Sequence, residues 1–289
     1  MREKPKASAV PRLRQNRKPL AVSSIAKNAF LAVWCAGALY PFLWVVLSSF
    51  REGPDIKMRP FALPTSLLLD GYVFAWIRGH LGIAFINSLI ISAAAVTAIL
   101  VVSSMAAYVL ARVRKSILLY TFFTMGIMVP LHTILIPTFV FIKSLNLLNT
   151  RAGAIIMYTA TGLSLSLFIL VGFMKSIPTE IEESASIDGC SRSRTFLSII
   201  LPLSRAGIAT VGTLTFLNVW NEYLFAFILL TTIPKKTIQL GIYSLQGSYG
   251  TNFGPLCAAL TISILPVVAV FIAFQRQVIA GMTAGAVKG

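Results

Sequence analysis

"LGIAFINSLIISAAAVTAILVVSSMAAYVLA", residues 81–111, contains no Asp, Glu, Lys or Arg. A helix needs roughly 20 apolar residues to cross the hydrocarbon core of a bilayer, and this run exceeds that length. Four further charge-free runs lie along the chain: 28–50 between Lys27 and Arg51, 116–142 between Lys115 and Lys143, 152–174 between Arg151 and Lys175, and 237–275 between Lys236 and Arg276. Residues 203–230 add a stretch whose only charges are Arg205 and Glu222. The spacing predicts six spans, at about 28–50, 82–111, 117–142, 152–174, 203–230 and 256–275. Composition agrees: 56% of residues are hydrophobic and 12% charged, about half the charge fraction of a soluble domain. The fold class is an all-α, multi-pass membrane protein. The first apolar run is longer than the core of a cleaved signal peptide and lacks an A-x-A-like site after it, so it reads as a retained span.

The formal net charge of +16 invites a nucleic-acid reading, but its distribution argues for topology instead. With six spans and the N-terminus inside, seventeen Lys/Arg fall on the inner segments and eight on the outer ones. That asymmetry obeys the positive-inside rule and predicts that both termini are cytoplasmic. Residues 1–27, basic and Pro-rich up to Pro19, then form a tail that meets lipid headgroups rather than nucleic acid. Residues 28–289 form the transmembrane domain.

Covalent chemistry is not indicated. Cys35, Cys190 and Cys257, with His80 and His132, show no metal-ligand spacing, and neither a phosphate-binding glycine loop nor a G-x-S-x-G stretch is present. The expected metal content and catalytic set are both none. Tyr72, Phe74 and Trp76 cluster at the end of the first outer loop, where an interfacial belt and a sugar-stacking surface are both open readings. In the third span Pro130 and Pro137 stand two helical turns apart and are expected to bend one helix on one face. His132 between them is a polar group at depth, either a functional candidate or a hydrogen-bond partner of a neighbouring helix.

One segment is out of character. Between the fourth and fifth spans, "EIEESASIDG" (180–189) holds four of the chain's nine acidic residues. Thr179 with Glu182 fits a capping box, and Gly189 stands where a helix would end in a left-handed conformation. The expectation is a two-turn helix over 180–188 with Ile181, Ser184, Ala185 and Asp188 along one face. Two turns are not stable alone in water, so the helix needs a surface to rest on. An ordinary capped loop at the headgroups is the alternative.

The segment resembles the EAA loop of ABC-importer permeases, E-A-A-x(3)-G followed by I-x-L-P. Glu183, Ala185, Asp188, Gly189, Leu201 and Pro202 match that pattern, and Ser184 replaces the middle alanine. "WNEYLFA" (220–226) and "QRQVIAGMTAGAVKG" (275–289) are similar to the maltose-type carbohydrate-uptake permeases in particular. Ala206 departs from the pattern, since many relatives carry proline after "LPL". The resemblance implies a permease core over 82–280 and a coupling-helix loop over 175–202. It implies that Glu182, Glu183, Ala185, Asp188, Gly189 and Pro202 couple the chain to an ATPase. It also implies the partners: a second homologous permease, two ATPase subunits that hold ATP and Mg, and an extracytoplasmic sugar-binding protein. This chain itself would bind no cofactor and would not be an enzyme.

Trp220, Asn221, Glu222, Tyr223 and His132 are the candidates for the translocation path or gate, because aromatic faces and amides suit sugars. Glu222 is the only acidic residue in a span, and a continuous helix from Leu203 would place it about 28 Å along its axis. The tail from Gly281 to Gly289 is small-sided, too much so for a packed helix on composition, and by resemblance reaches the ATPase interface. A secondary transporter, the rival reading, would have only Glu222 and His132 for ion coupling and no use for a docking helix.

Overall fold

The computed structural model describes residues 21–114, 116–246 and 252–286. The basic stretch 1–20 therefore lies outside the described residues, as do 287–289 at the other end. The chain divides into two compact units, Met1–Trp44 and Val45–Gly289, with the boundary inside the first long helix, α1 (Ala21–Ser48). That helix begins at Ala21, so the end of the segment expected to be tail is already helical. In the first unit its apolar side chains, among them Phe30, Val33 and Trp34, are exposed.

Every regular element among the described residues of the second unit is helical. Short helices α2 (Gly53–Met58) and α3 (Asp70–Val73) lead through a π-turn to α4 (Leu81–Tyr108), which a second π-turn, Val109–Val113, prolongs. Then follow α5 (Ile117–Met125), α6 (Leu135–Ser144), α7 (Arg151–Ser176), α8 (Glu180–Ile187), α9 (Arg192–Thr195) and α10 (Leu201–Leu203). The chain closes with α11 (Arg205–Asn221), α12 (Leu224–Leu229), α13 (Ile238–Ser244) and α14 (Phe253–Ala286). Among the described residues four helical stretches are long and apolar enough to cross a membrane, and six are if each of two bent pairs counts as one span. Counted that way, the stretches correspond to the six expected spans, two of them broken.

α4 shows how the sequence sorts itself. Ala84, Ser88, Ser92, Ala95, Ser103 and Ala107 are buried on one face, while Ile83, Ile86, Ile90, Val101 and Met105 on the other are exposed. Small side chains turned inward let helices approach in a medium as apolar as leucine itself. The approach to α7 is close: a methyl group on Gly162 would lie 2.5 Å from Cδ1 of Ile99. A side chain there would require the Ile99 side chain to shift.

Three expectations need correction. The third span is not one bent helix but two pieces at 92°. Val129 is extended at φ −76°, ψ 116°, the conformation imposed on a residue before proline, and Pro130 follows it as the break. Pro137 is the third residue of α6, where the missing N–H costs no intrahelical bond, so it bends nothing. The fifth span bends by 73° at Ser204, and α11 ends at Asn221 rather than running on to Leu230. Finally, the small-sided tail is helical as far as Ala286. Extending an existing helix adds one bond per residue without a new nucleus, so alanines carry it past the glycines.

Candidate functional site

The expected docking helix is present as α8, bounded at Gly189. Gly189 has φ +78°, its N–H donates to Ser186 O at 3.1 Å, and the Cys190 N–H donates to Ala185 O at 2.9 Å. This paired pattern satisfies the last carbonyls of a helix and needs a left-handed residue, which glycine supplies at least cost. The other end differs from the capping box. Thr179 is already helical at φ −69°, ψ −28°, and its hydroxyl makes no cap hydrogen bond. Its carbonyl accepts from the N–H of Glu182 and of Glu183 instead.

Glu182 is engaged elsewhere. Its Oε1 lies 2.9 Å from Nε of Arg112 in the π-turn after α4, an ion pair whose side chains are 6% and 18% exposed. The pair is a charge contact without aligned N–H geometry, since neither atom makes a hydrogen bond. Tyr108 Oη donates to the other carboxylate oxygen at 3.4 Å. Arg112 Nη2 donates to Met174 O at 2.6 Å and also to Ile177 O, the carbonyls that close α7. Ala185, on the same side of α8, is buried. Of the expected face Ile181, Ser184, Ala185 and Asp188, only Ala185 is buried; it turns into the chain beside Glu182, while Glu180, Glu183, Ser184 and Ile187 are exposed at i, i+3, i+4 and i+7. A cavity of about 380 Å³ opens beside Arg112, lined also by Tyr120, Lys175 and Thr179. Pro202 sits at the start of α10, directly after the π-turn Phe196–Ile200.

The candidates for the path lie at the far end of α4. Glu222 is not inside a helix but in the break between α11 and α12. Its Oε1 accepts from Phe225 N at 2.9 Å, and its Oε2 accepts from Ala226 N at 3.1 Å and from Tyr158 Oη at 2.8 Å. The carboxylate thus caps α12 and ties it to α7. Trp220 is buried against Phe85 and Phe216, and its indole N–H donates to Ser263 O at 3.1 Å, so it packs the core rather than lining open space. Asn221 is exposed, with Gln239 Nε2 3.4 Å from its Oδ1. Tyr223 joins Phe227 and Tyr243 in an aromatic cluster with centroids 5.3–6.0 Å apart, and Phe227 and Tyr243 are exposed. His132 occupies an exposed turn in the broken third span, and no hydrogen bond or ring contact among the described residues joins it to 220–223.

Two residues absent from the sequence-based set, Asn87 and Asn149, hold this end together. Asn87 of α4, fully buried, donates from Nδ2 to Pro234 O and Lys236 O at 2.9 Å each and accepts from Arg151 Nε at 2.8 Å. Asn149, at φ +55°, accepts on Oδ1 from the N–H of Thr231 and of Thr232. Asn87 had a signal, being the only amide in a charge-free run, since a polar group at membrane depth marks a partner or a function. Arg112 was weighed only for topology.

Comparison with known proteins supports the assembled picture. Residues 99–283 match the model of the binding-protein-dependent transport system inner membrane component family. The chain is 33% identical to the diacetylchitobiose uptake system permease protein of Streptomyces coelicolor, covering 89% of this chain and 87% of that one. It is 34% identical to the trehalose/maltose transport system permease protein of Thermococcus litoralis, covering 90% and 94%. A crystal structure of a bacterial ABC transporter involved in alginate import contains a chain of the same fold, with TM-score 0.77 at 21% identity over 89% of this chain and 96% of that one. The chain therefore belongs to the family of binding-protein-dependent transport system inner membrane components, and it is a multi-pass membrane permease of ABC transport, a transport subunit and not an enzyme.

Proposed function

We propose that this permease imports a sugar or oligosaccharide, pairing with a second related permease around a shared path. The observation that carries the substrate class is similarity, over 89% and 90% of the chain, to permeases named for diacetylchitobiose and for trehalose/maltose uptake. The inner excess of Lys/Arg supports placing α8, the Arg112 end of α4 and both termini in the cytoplasm. There α8 meets one of two ATPase subunits, which bind ATP and Mg, and its exposed Glu180, Glu183 and Ile187 face that partner. ATP-driven closure of the ATPase pair displaces α8, and the bundle opens towards an extracytoplasmic binding protein that delivers the ligand. Asn221, Glu222, Tyr223 and His132 remain the candidate path or gate residues, and the end of α14 extends towards the ATPase interface.

Reconstitution of the whole importer in proteoliposomes tests this reading. A panel of mono- and oligosaccharides, with an amino acid and a polyamine as controls, is offered to the cognate binding protein. ATP-dependent uptake of a saccharide, and of neither control, is expected. Uptake of a control alone, or uptake that persists on a proton gradient without ATP, overturns it.

A further inference from the structure

We propose that Arg112 is a positioning residue that fixes the docking helix to the ends of two spans, so that α8, α4 and α7 move as one body. The proposal rests on the reading of α8 as the ATPase-docking helix. α8 has only two turns and cannot hold its shape or place without tertiary contacts. Its chain connections do not supply rigidity: Ile177 is extended before it, and the left-handed Gly189 follows it.

What holds α8 is a buried cation that serves three elements at once. Arg112 belongs to the π-turn that prolongs α4, takes the Glu182 carboxylate of α8 at 2.9 Å, and donates to the Met174 and Ile177 carbonyls that end α7. Those carbonyls are the negative pole of a helix, which suits a guanidinium. Tyr108, one turn before Arg112, donates to the same carboxylate. Burying a charge at this depth is costly unless its partners compensate it, so the site tolerates neither partner alone. The adjacent acids are divided: Glu182 is held inside, whereas Glu183 is exposed and free for a partner chain. A lysine could supply the charge, but a single ammonium lacks the planar fork that reaches two carbonyls and a carboxylate together.

The test uses the complete importer in proteoliposomes, with Arg112→Lys, Arg112→Gln, Glu182→Gln and the Arg112→Gln/Glu182→Gln pair. Retention of the ATPase on purification reports assembly. Sugar transported per ATP hydrolysed reports coupling, which mere loss of folded protein does not change. The expected result is a roughly tenfold fall in sugar per ATP for Arg112→Gln and for Glu182→Gln, a smaller fall for Arg112→Lys, and no further fall in the double variant. Shared, non-additive losses mark one interaction. Two results overturn the clasp: an unaltered ratio in all four variants, or losses that multiply in the double variant. Where a Gln variant does not assemble, Arg112→Lys decides, and a wild-type ratio in it is counted against the clasp. If wild type itself shows no sugar-stimulated ATP hydrolysis, the docking reading fails with it; if wild type responds and the variants match it, only the clasp fails.

Discussion

Asn87 and Arg112, near the two ends of α4, lie about 37 Å apart at 1.5 Å per residue, and different chemistry ties each to the rest of the chain. At the Arg112 end the tie is an ion pair between side chains of two elements, with two further bonds to the carbonyls that end a third. At the Asn87 end the ties are an amide and, in the neighbouring break, a carboxylate, and most of their bonds go to backbone groups of irregular segments. Asn87 takes two carbonyls of the 231–237 connection, Asn149 takes two of its N–H groups, and Glu222 takes two from α12. Irregular backbone near a membrane needs internal partners for every polar group, so these residues fix local conformation. An ion pair between two helices leaves their backbones intact, so it can carry a rigid-body displacement. One end of the rod holds a shape, and the other transmits a movement.

The sharpest way to break that contrast is at Asn87. Asn87→Leu removes three part-buried hydrogen bonds, to the Pro234 and Lys236 carbonyls and from the Arg151 Nε, each worth about 1 kcal/mol. The expected loss of at least about 3 kcal/mol should lower Tm of the purified protein in detergent by roughly 6–12 °C. Asn87→Asp keeps the acceptor for Arg151 and should fall in between. A melt of Asn87→Leu within about 2 °C of wild type would remove the shape-holding role.

Glu222 comes next. Glu222→Leu loses all three donors, and the protein should insert and assemble while transport drops more than about tenfold, since an uncapped α12 loses roughly 1 kcal/mol or more. Glu222→Gln keeps one acceptor oxygen and should be intermediate. Equal uptake by wild type and both variants would exclude Glu222 from any gate.

A smaller effect is expected at Gly189. Valine at φ +78° carries about 1–3 kcal/mol of local strain, so α8 should shift while membrane levels stay normal. Sugar-stimulated ATP hydrolysis should fall, and a normal response would show that the cap does not position α8.

The smallest belongs to Asp55 of α2. Hydrogen bonds from Arg51 and Arg59 hold its carboxyl below the ordinary 3.8. A lowered carboxylate pKa stabilises the fold above the unfolded value, and that contribution is lost as pH falls through the lowered value. Hydrogen exchange of the Gly53–Arg59 amides should therefore be flat from pH 7 to about 5 once corrected for intrinsic rates, with extra opening only below about pH 3.8. Asp55→Asn should show that opening already at neutral pH.

Local rules went a long way with this chain. Absence of charge over twenty or more residues is a property of composition, so the six spans could be placed before any contact was known. Gly189 was legible for a similar reason, because a backbone that reverses out of a helix favours a residue without Cβ. At two places where local rules disagreed with the structure, a partner far along the chain had intervened. Thr179 and Glu182 have the spacing of a capping box, but Arg112, 70 residues away, takes the carboxylate. A run of apolar residues through 223–230 reads as continuous helix, yet Glu222 breaks it by bonding its own downstream N–H groups and Tyr158, 64 residues upstream. The sequence by itself determined the membrane class, the number of spans and the presence of a short polar helix between two of them. Only the tertiary structure decided where the helix of the fifth span ends, which acid of that short helix faces inward, and which residues clasp the ends of α4, because each depends on a polar group finding a partner among segments that only folding brings together.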